Sequence, residues 1–349
     1  MKSKFIIIAM LLIALSGYSQ IQFVNKTSSE PIPNVKVFNK DGKILSVSNS
    51  NGISRFKKNE LLKNDTVNIF HSNFEIKYLP YKDLLKKDRF LLSPSDYENL
   101  QEVVITSKNP RYLKITGYYI SYQLIDNKPQ SFSDGIIEYF IDTKKSKVKD
   151  YNIKESRIFK DKSYISELKK AKPKAVSMLG SNLLPFTFEE EILLSEWKNR
   201  DETFSEMLNE DWVGNIENEN DGSVLTIEYY TPENPRKISL LGLKTVINHH
   251  LIQEEFSSNE TKIASIKRVT KYFSSEREKK DEKINYELEQ DFFVNSIQYM
   301  NREKFKLATV DISHDTNTNF SSDFWTTFQS FIPPTIQQKL YHNMELIKK

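Results

Sequence analysis

The chain has 349 residues, 38% hydrophobic and 28% charged, with 12% aromatics and a formal net charge of +3. That is enough apolar residue for real cores and length enough for two domains, which excludes a disordered chain. With 9 Gly and 12 Pro, collagen-type repeats and long flexible linkers are excluded, and with no Cys neither disulfides nor a cysteine-linked lipid anchor can form.

Met1–Gln20 opens with Lys2 and Lys4, continues as the apolar run Phe5–Leu15 and ends in small residues around Ser16, Gly17 and Ser19. This is the pattern of a secretory signal peptide, with cleavage expected near Ser19/Gln20, so that residues 1–19 form the leader. Loss of Lys2 and Lys4 takes the formal charge from +3 to +1. A nearly neutral chain of this kind offers no basic field for nucleic acid. No later stretch is apolar over some 18 residues, so no transmembrane helix is expected after cleavage.

From Ile21 to Pro94 the segments are short and strand-like. Asn34–Phe38 alternates, with Val35 and Val37 on one face, and Asp41-Gly42 signals a hairpin turn before Ile44–Val47. Asn51-Gly52 signals a second turn, followed by Ile53 and Phe56. Thr66–His71 and Phe90–Leu92 complete the set. Turn signals about every ten residues predict a small β-sandwich over residues 20–95.

These residues also carry a resemblance. Pro33-Asn34-Val35-Lys36-Val37-Phe38, then Asp41-Gly42, then Ser48-Asn49 with Asn51-Gly52-Ile53, resembles the carboxypeptidase regulatory-like domain, a transthyretin-like β-sandwich. Its usual pattern ends in T-D-x-x-G-x-F. Here Ser48 and Asn49 replace Thr and Asp, and Ile53 replaces an aromatic. Asn73-Phe74-Glu75 stands where such domains often have a Gly–aromatic pair. Leu100–Thr106, LQEVVIT, resembles the L-x-E-V-V-V-T that follows this domain in TonB-dependent outer-membrane receptors. In those receptors a plug and a barrel come next; about 240 residues are too few for both, and a small barrel needs repeated strands of about ten residues with an outward apolar band. The resemblance implies no peptidase activity. His342–Glu345 offers a His-x-x-Glu pair, but the chain ends before a third zinc ligand. The expected reading of Glu345–Lys349 is a solvated helix end.

Residues 96–109 form the expected linker strand, with Val103-Val104-Ile105 at its centre. A second domain is expected over residues 110–349. Ile115–Phe159 reads as a three-stranded meander, and Ser163–Lys172 and Phe188–Leu208 as helices, the latter with Phe188, Ile192, Leu193 and Trp197 as an amphipathic stripe. Met178–Phe186 is an irregular apolar connector. Strands are expected again at Val224–Tyr230, Lys244–Glu255, Ile263–Phe273, Ile284–Asp291, and Val294–Asn301 with Phe305–Ile312. Ser274–Lys283 is a charged run expected at a solvated hairpin tip. A last helix is expected over Pro334–Ile347, with Ile336, Leu340, Met344 and Ile347 on one face. The fold class is therefore mostly β, an N-terminal β-sandwich followed by an α+β domain with a curved antiparallel sheet and packed helices.

Candidate chemistry is sparse. His249-His250 would point to opposite faces of a strand and do not share a metal. Asp315, Asn317, Asn319 and Asp323 have the odd spacing of a Ca²⁺ loop, but Phe320 and Thr326 occupy the positions that need Gly and Glu. There is no G-x-S-x-G, no H-E-x-x-H and no Gly-rich phosphate loop, and there are only five His. Glu189–Glu191 fits a helix start, and Trp197, Trp212 and Trp325 fit core packing as well as sugar stacking. No catalytic, metal or cofactor-binding residue is therefore assigned. The expected protein is a non-catalytic binding or assembly protein of a gram-negative envelope, in the periplasm and open to association with the outer membrane. It would recognise an envelope protein through a sheet edge or groove. A carrier of a lipid or hydrophobic ligand, with Leu183, Leu184 and Phe186 lining a cavity, is the alternative, and a hydrolase a more distant one.

Overall fold

A computed structural model describes residues 18–57, 65–95, 112–143, 147–177, 213–219, 222–232, 234–240, 242–257, 263–300 and 318–347. The fold is mostly β, and its sheets are largely antiparallel. The chain divides into two compact units, Met1–Tyr97 and Glu98–Lys349. Most of the expected leader and linker strand, including Leu100–Ser107, lies outside the described residues.

In the first unit, β1 (Tyr18–Asn25), β4 (Ile53–Lys57) and β7 (Arg89–Leu92) form one sheet in the order β4-β1-β7. Residues β2 (Lys36–Asn39), β3 (Ile44–Val47), β5 (Thr66–Phe70) and β6 (Lys77–Pro80) form another, in the order β3-β2-β5-β6. Among the described residues only β1 and β7 run parallel. Period-two alternation buries Ile21 and Phe23 of one sheet and Val37, Val67 and Ile69 of the other in a single apolar cluster, which α1 (Tyr81–Leu84) completes with Tyr81 and Leu84.

The turns explain the sequence pattern. The Asn39 side chain accepts from the backbone N–H of Asp41 and Lys43, and Gly42 takes the left-handed conformation. Ser48 Oγ, fully buried, accepts from Val35 N–H and donates to Ile32 C=O. The Asn49 side chain accepts from the N–H of Asn51 and Ile53. Gly52 has φ +69°, and a Cβ there would lie 2.6 Å from the Phe23 carbonyl oxygen. Tyr18 and Ser19, expected in the leader, open β1 opposite Lys57 and Phe56.

In the second unit ten strands among the described residues form one sheet. They are β8 (Tyr112–Ile125), β9 (Lys128–Asp142), β10 (Lys147–Lys160), β11 (Val213–Glu219), β12 (Gly222–Tyr230), β13 (Arg236–Leu240), β14 (Leu243–Phe256), β15 (Ile266–Lys279), β16 (Glu282–Met300) and β17 (Glu345–Leu346). Their order is β11-β12-β14-β15-β16-β8-β9-β10-β17, and β13 pairs with β14 beyond the end of β12. Two hairpin ladders distant in sequence, β8–β10 and β14–β16, meet where β16 pairs with β8 from Tyr286↔Ile125 to Met300↔Tyr112. Tight turns at Asp126-Asn127 and Lys280-Asp281, all four residues at positive φ, match the right-handed strand twist.

Helix α2 (Lys162–Ala171) starts at Asp161, whose side chain accepts from Tyr164 N–H, and α3 (Pro173–Val176) follows. Leu168 and Ala175 bury themselves against Ile125 and Ile284. Near the C-terminus a 3₁₀-helix (Phe324–Phe331) and α4 (Pro334–His342) contact β9. Among the described residues no helix is long and apolar enough to cross a membrane.

Three expectations are corrected. The charged run Ser274–Lys283 is strand on both sides of a two-residue turn, because its charges pair across strands: Lys283 with Glu276, and Lys244 with Glu278. Ile284–Asp291 and Val294–Asn301 are not separate strands; Glu282–Met300 is continuous, with a register shift between Val294 and Ser296. The last helix stops at His342, and Glu345–Leu346 is no helix end but pairs with Phe159 and Lys160. Residues 188–208 and 305–312 lie outside the described residues.

Candidate functional site

Opposed residues in the sheet share a face, so the registers sort the second unit's side chains into two sets. One face is apolar: Ile115, Tyr139, Ile227, Ile252, Val269 and Phe292 belong to one buried cluster. The other carries a buried row of charged and phenolic groups.

At one end of that row Asp134 of β9 takes two bonds from Arg157 of β10, at 3.0 and 2.6 Å, and one from Tyr118 OH at 2.7 Å. Burial pushes the Asp134 carboxyl up, against the bonds from Arg157, and burial followed by the Asp134 charge pushes the Tyr118 phenol well up. The C-terminal segment covers this group: Phe328 stacks on Tyr118 at 3.9 Å, Phe331 on Phe293 at 4.2 Å, and Trp325 lies 4.0 Å from the Arg157 guanidinium. Glu155 anchors that segment by accepting from both the backbone and the hydroxyls of Ser321 and Ser322.

In the middle, β16 places Glu287, Glu289 and Asp291 at every second position of the same face. Asp291 accepts from Arg268 and Thr270, both at 2.6 Å, and Tyr272 OH donates to Glu287 at 2.9 Å. Tyr122 stands opposite Glu289; burial and then the Glu289 charge push its phenol well up, and among the described residues its hydroxyl has no hydrogen-bond partner. At the far end His249 Nε2 lies 2.6 Å from Glu228 Oε1, with both side chains buried. His250, one residue on, stacks with Tyr229 and meets Phe273, on the opposite face as strand geometry requires. Most of these groups hydrogen-bond one another beneath the surface, as in a buried polar network.

The exposed feature is β13. All five of its residues are exposed, Ile238 at 41% and Leu240 at 66%, and among the described residues it is paired on one side, with β14. Alternation puts Arg236, Ile238 and Leu240 on one face and Lys237 and Ser239 on the other. Gly242, in the turn to β14, has φ +76° and open space around it. The alternation Arg-Lys-Ile-Ser-Leu followed by Leu-Gly is the signal that could have announced this hairpin; Pro232 and Pro235 obscured it by breaking the pattern just before.

The other residues singled out in the sequence do not converge. Of the Ca²⁺-like spacing, Asn319 pairs through its backbone with Ser156, and the Asp323 carbonyl accepts from Thr326, while Asp315 and Asn317 lie outside the described residues. Leu183, Leu184 and Phe186, expected to line a cavity, and Glu189–Glu191, Trp197 and Trp212 also lie outside them. His342 is exposed on α4, while Glu345 belongs to β17. Among the described residues no three His, Asp or Glu side chains gather as metal ligands would.

No protein-family model and no curated protein matches this chain. Among solved structures, one described as "Lipid-protein interactions in lipovitellin" is similar over 58% of this chain and 27% of its own, at 8% identity and a TM-score of 0.27. The chain thus spans about a quarter of the length of that protein. A likeness of that size establishes neither fold nor ligand.

Proposed function

We propose that this chain is a non-catalytic binding or assembly protein of a gram-negative envelope that acts in the periplasm. Its first unit is read as a carboxypeptidase regulatory-like β-sandwich. Its second is read as a curved sheet with packed helices that recognises an envelope protein by accepting an added strand along β13. The observation that carries the recognition step is the exposure of β13 and its one-sided pairing among the described residues, with large apolar side chains at alternate positions. An unpaired edge presents a row of backbone donors and acceptors that an added strand can satisfy. The compartment rests on the Met1–Gln20 pattern, and the first unit's assignment on the Ser48-Asn49-x-x-Gly52 turn.

The test uses two variants, Ile238→Pro and Ser239→Pro. Ladder bonds alternate along an antiparallel edge, so one of the two prolines removes an outward N–H. Envelope proteins retained by the full chain should be lost with that variant and kept with the other, while circular dichroism stays unchanged. Equal retention by both variants and the parent would sink strand addition.

A further inference from the structure

The near-neutral charge of the whole chain conceals an uneven division. Residues 20–97 hold 13 Lys and Arg against 8 Asp and Glu, a net of +5, whereas residues 98–349 hold 35 against 39, a net of −4. Ion pairs inside the first unit redistribute its charge but cannot lower the total. The β4-β1-β7 sheet displays part of it. Ile21, Phe23, Phe56 and Leu92 point into the sandwich core. Alternation therefore turns Gln20, Gln22 and Val24 of β1, Ile53 and Arg55 of β4, and Arg89 and Leu91 of β7 to the outer face. By register Arg55 lies beside Gln20, Ile53 and Arg89 flank Gln22, and Leu91 lies beside Val24. Gln20, Arg55, Arg89 and Leu91 are exposed, Leu91 at 55%. Of these seven positions two are cations and none is a carboxylate. Arg55 donates to the side-chain oxygen of Gln20 at 2.8 Å, a neutral acceptor. The loops at the two ends of the face bring Lys26, Lys86 and Lys87 against Glu30 and Asp88, with Lys86 held by Asp83 at 2.7 Å.

We infer that the outer face of β4-β1-β7 docks the first unit on an anionic phospholipid surface. Charge asymmetry between two parts of one chain is the pattern expected when one part meets a charged surface. The net positive charge draws the unit toward anionic headgroups once it is within about a Debye length. Arg89 then meets a lipid phosphate with its planar fork of donors. Leu91, two residues on and on the same face, enters the boundary between headgroups and acyl chains. An acidic protein surface would satisfy the arginines but set the exposed Leu91 against polar groups. The face belongs to the unit that does not carry β13, so it stands apart from the strand-addition reading.

The experiment sediments the chain, purified after export, with vesicles of phosphatidylglycerol and, separately, of phosphatidylcholine. Binding to phosphatidylglycerol should be at least about tenfold tighter than to phosphatidylcholine and should weaken with added salt. The double variant Arg55→Gln, Arg89→Gln should lose roughly tenfold or more of that affinity. Lys40→Gln with Lys43→Gln removes the same charge from the β2–β3 turn of the other sheet and should lose much less. Leu91→Ser should weaken the binding that survives added salt. Circular dichroism of each variant separates lost binding from lost folding, and Arg89→Gln alone, at an exposed position, provides a milder second variant. Equal affinity for the two lipids overturns the proposal. Equal losses in the two double variants overturn it too, since they show diffuse attraction rather than docking by this face. Sedimentation at low salt without vesicles, as basic first units meet acidic second units of other copies, assigns the charge to self-association and overturns it as well.

Discussion

Glu254 is the residue whose setting is least like its chemistry. It lies on β14 between Ile252 and Phe256, on the sheet's apolar face, opposite Leu225 and Val269. Burial pushes its carboxyl up to about 8, against the nearby charge of Lys271. The folded state therefore keeps a proton that the unfolded chain, with its ordinary carboxyl near 4.5, gives up. The stabilisation is complete below the unfolded value and is lost as pH rises toward 8, so stability falls across that window and then levels. Glu254→Gln should remove this slope and raise stability at pH 8.5 by a few kcal/mol, to order of magnitude, with little change at pH 4.5. Urea midpoints of parent and variant from pH 5 to 8.5 check it; parallel curves would count against it. The sequence did not single out Glu254, because in Leu251–Phe256 both faces carry a mixture of apolar and polar residues and alternation does not choose between them.

The elements best read from the sequence are those whose turns are enforced by local chemistry. Asp41-Gly42 and Asn51-Gly52 are turns because a side-chain amide satisfies the turning backbone and glycine accepts positive φ. Gly52→Ala brings both a strained φ and a methyl group close to the Phe23 carbonyl and the Ile32 N–H. It should cost the first unit ~2 kcal/mol or more, read as a fall in its unfolding midpoint. A variant as stable as the parent would mean the turn relaxes freely. Elements specified by partners far along the chain were harder to read. β17 exists because Phe159 and Lys160 offer it an edge, and no pattern within Glu345–Leu346 announces a strand. Ser274–Lys279 is highly charged, and only cross-strand pairing with β14 and β16 makes those charges complementary. The buried row on the sheet's other face was unreadable for the same reason: it gathers side chains from seven strands, each supplying one to three.

At the scale of the molecule, each unit has a buried apolar cluster of its own. Cleavage between residues 97 and 98 should accordingly leave two folded fragments. Calorimetry of the whole chain should show two transitions, and Gly52→Ala should move only the one that belongs to residues 1–97. A single merged transition that shifts as a whole would rule out independent units. The single large sheet was not legible from composition and spacing, because its central seam joins residues about 170 positions apart.

That seam imposes an order on the molecule's assembly. β8, rich in tyrosine, finds β9 within a few residues, but its other edge waits for β16, which is not complete until Met300 has been synthesised. Until then the growing chain carries a fourteen-residue edge with nothing beside it, the state most prone to pairing with a stranger. A polypeptide built this way favours staying unfolded until it is whole, and premature stops upstream of Met300 should yield insoluble product rather than a smaller soluble domain.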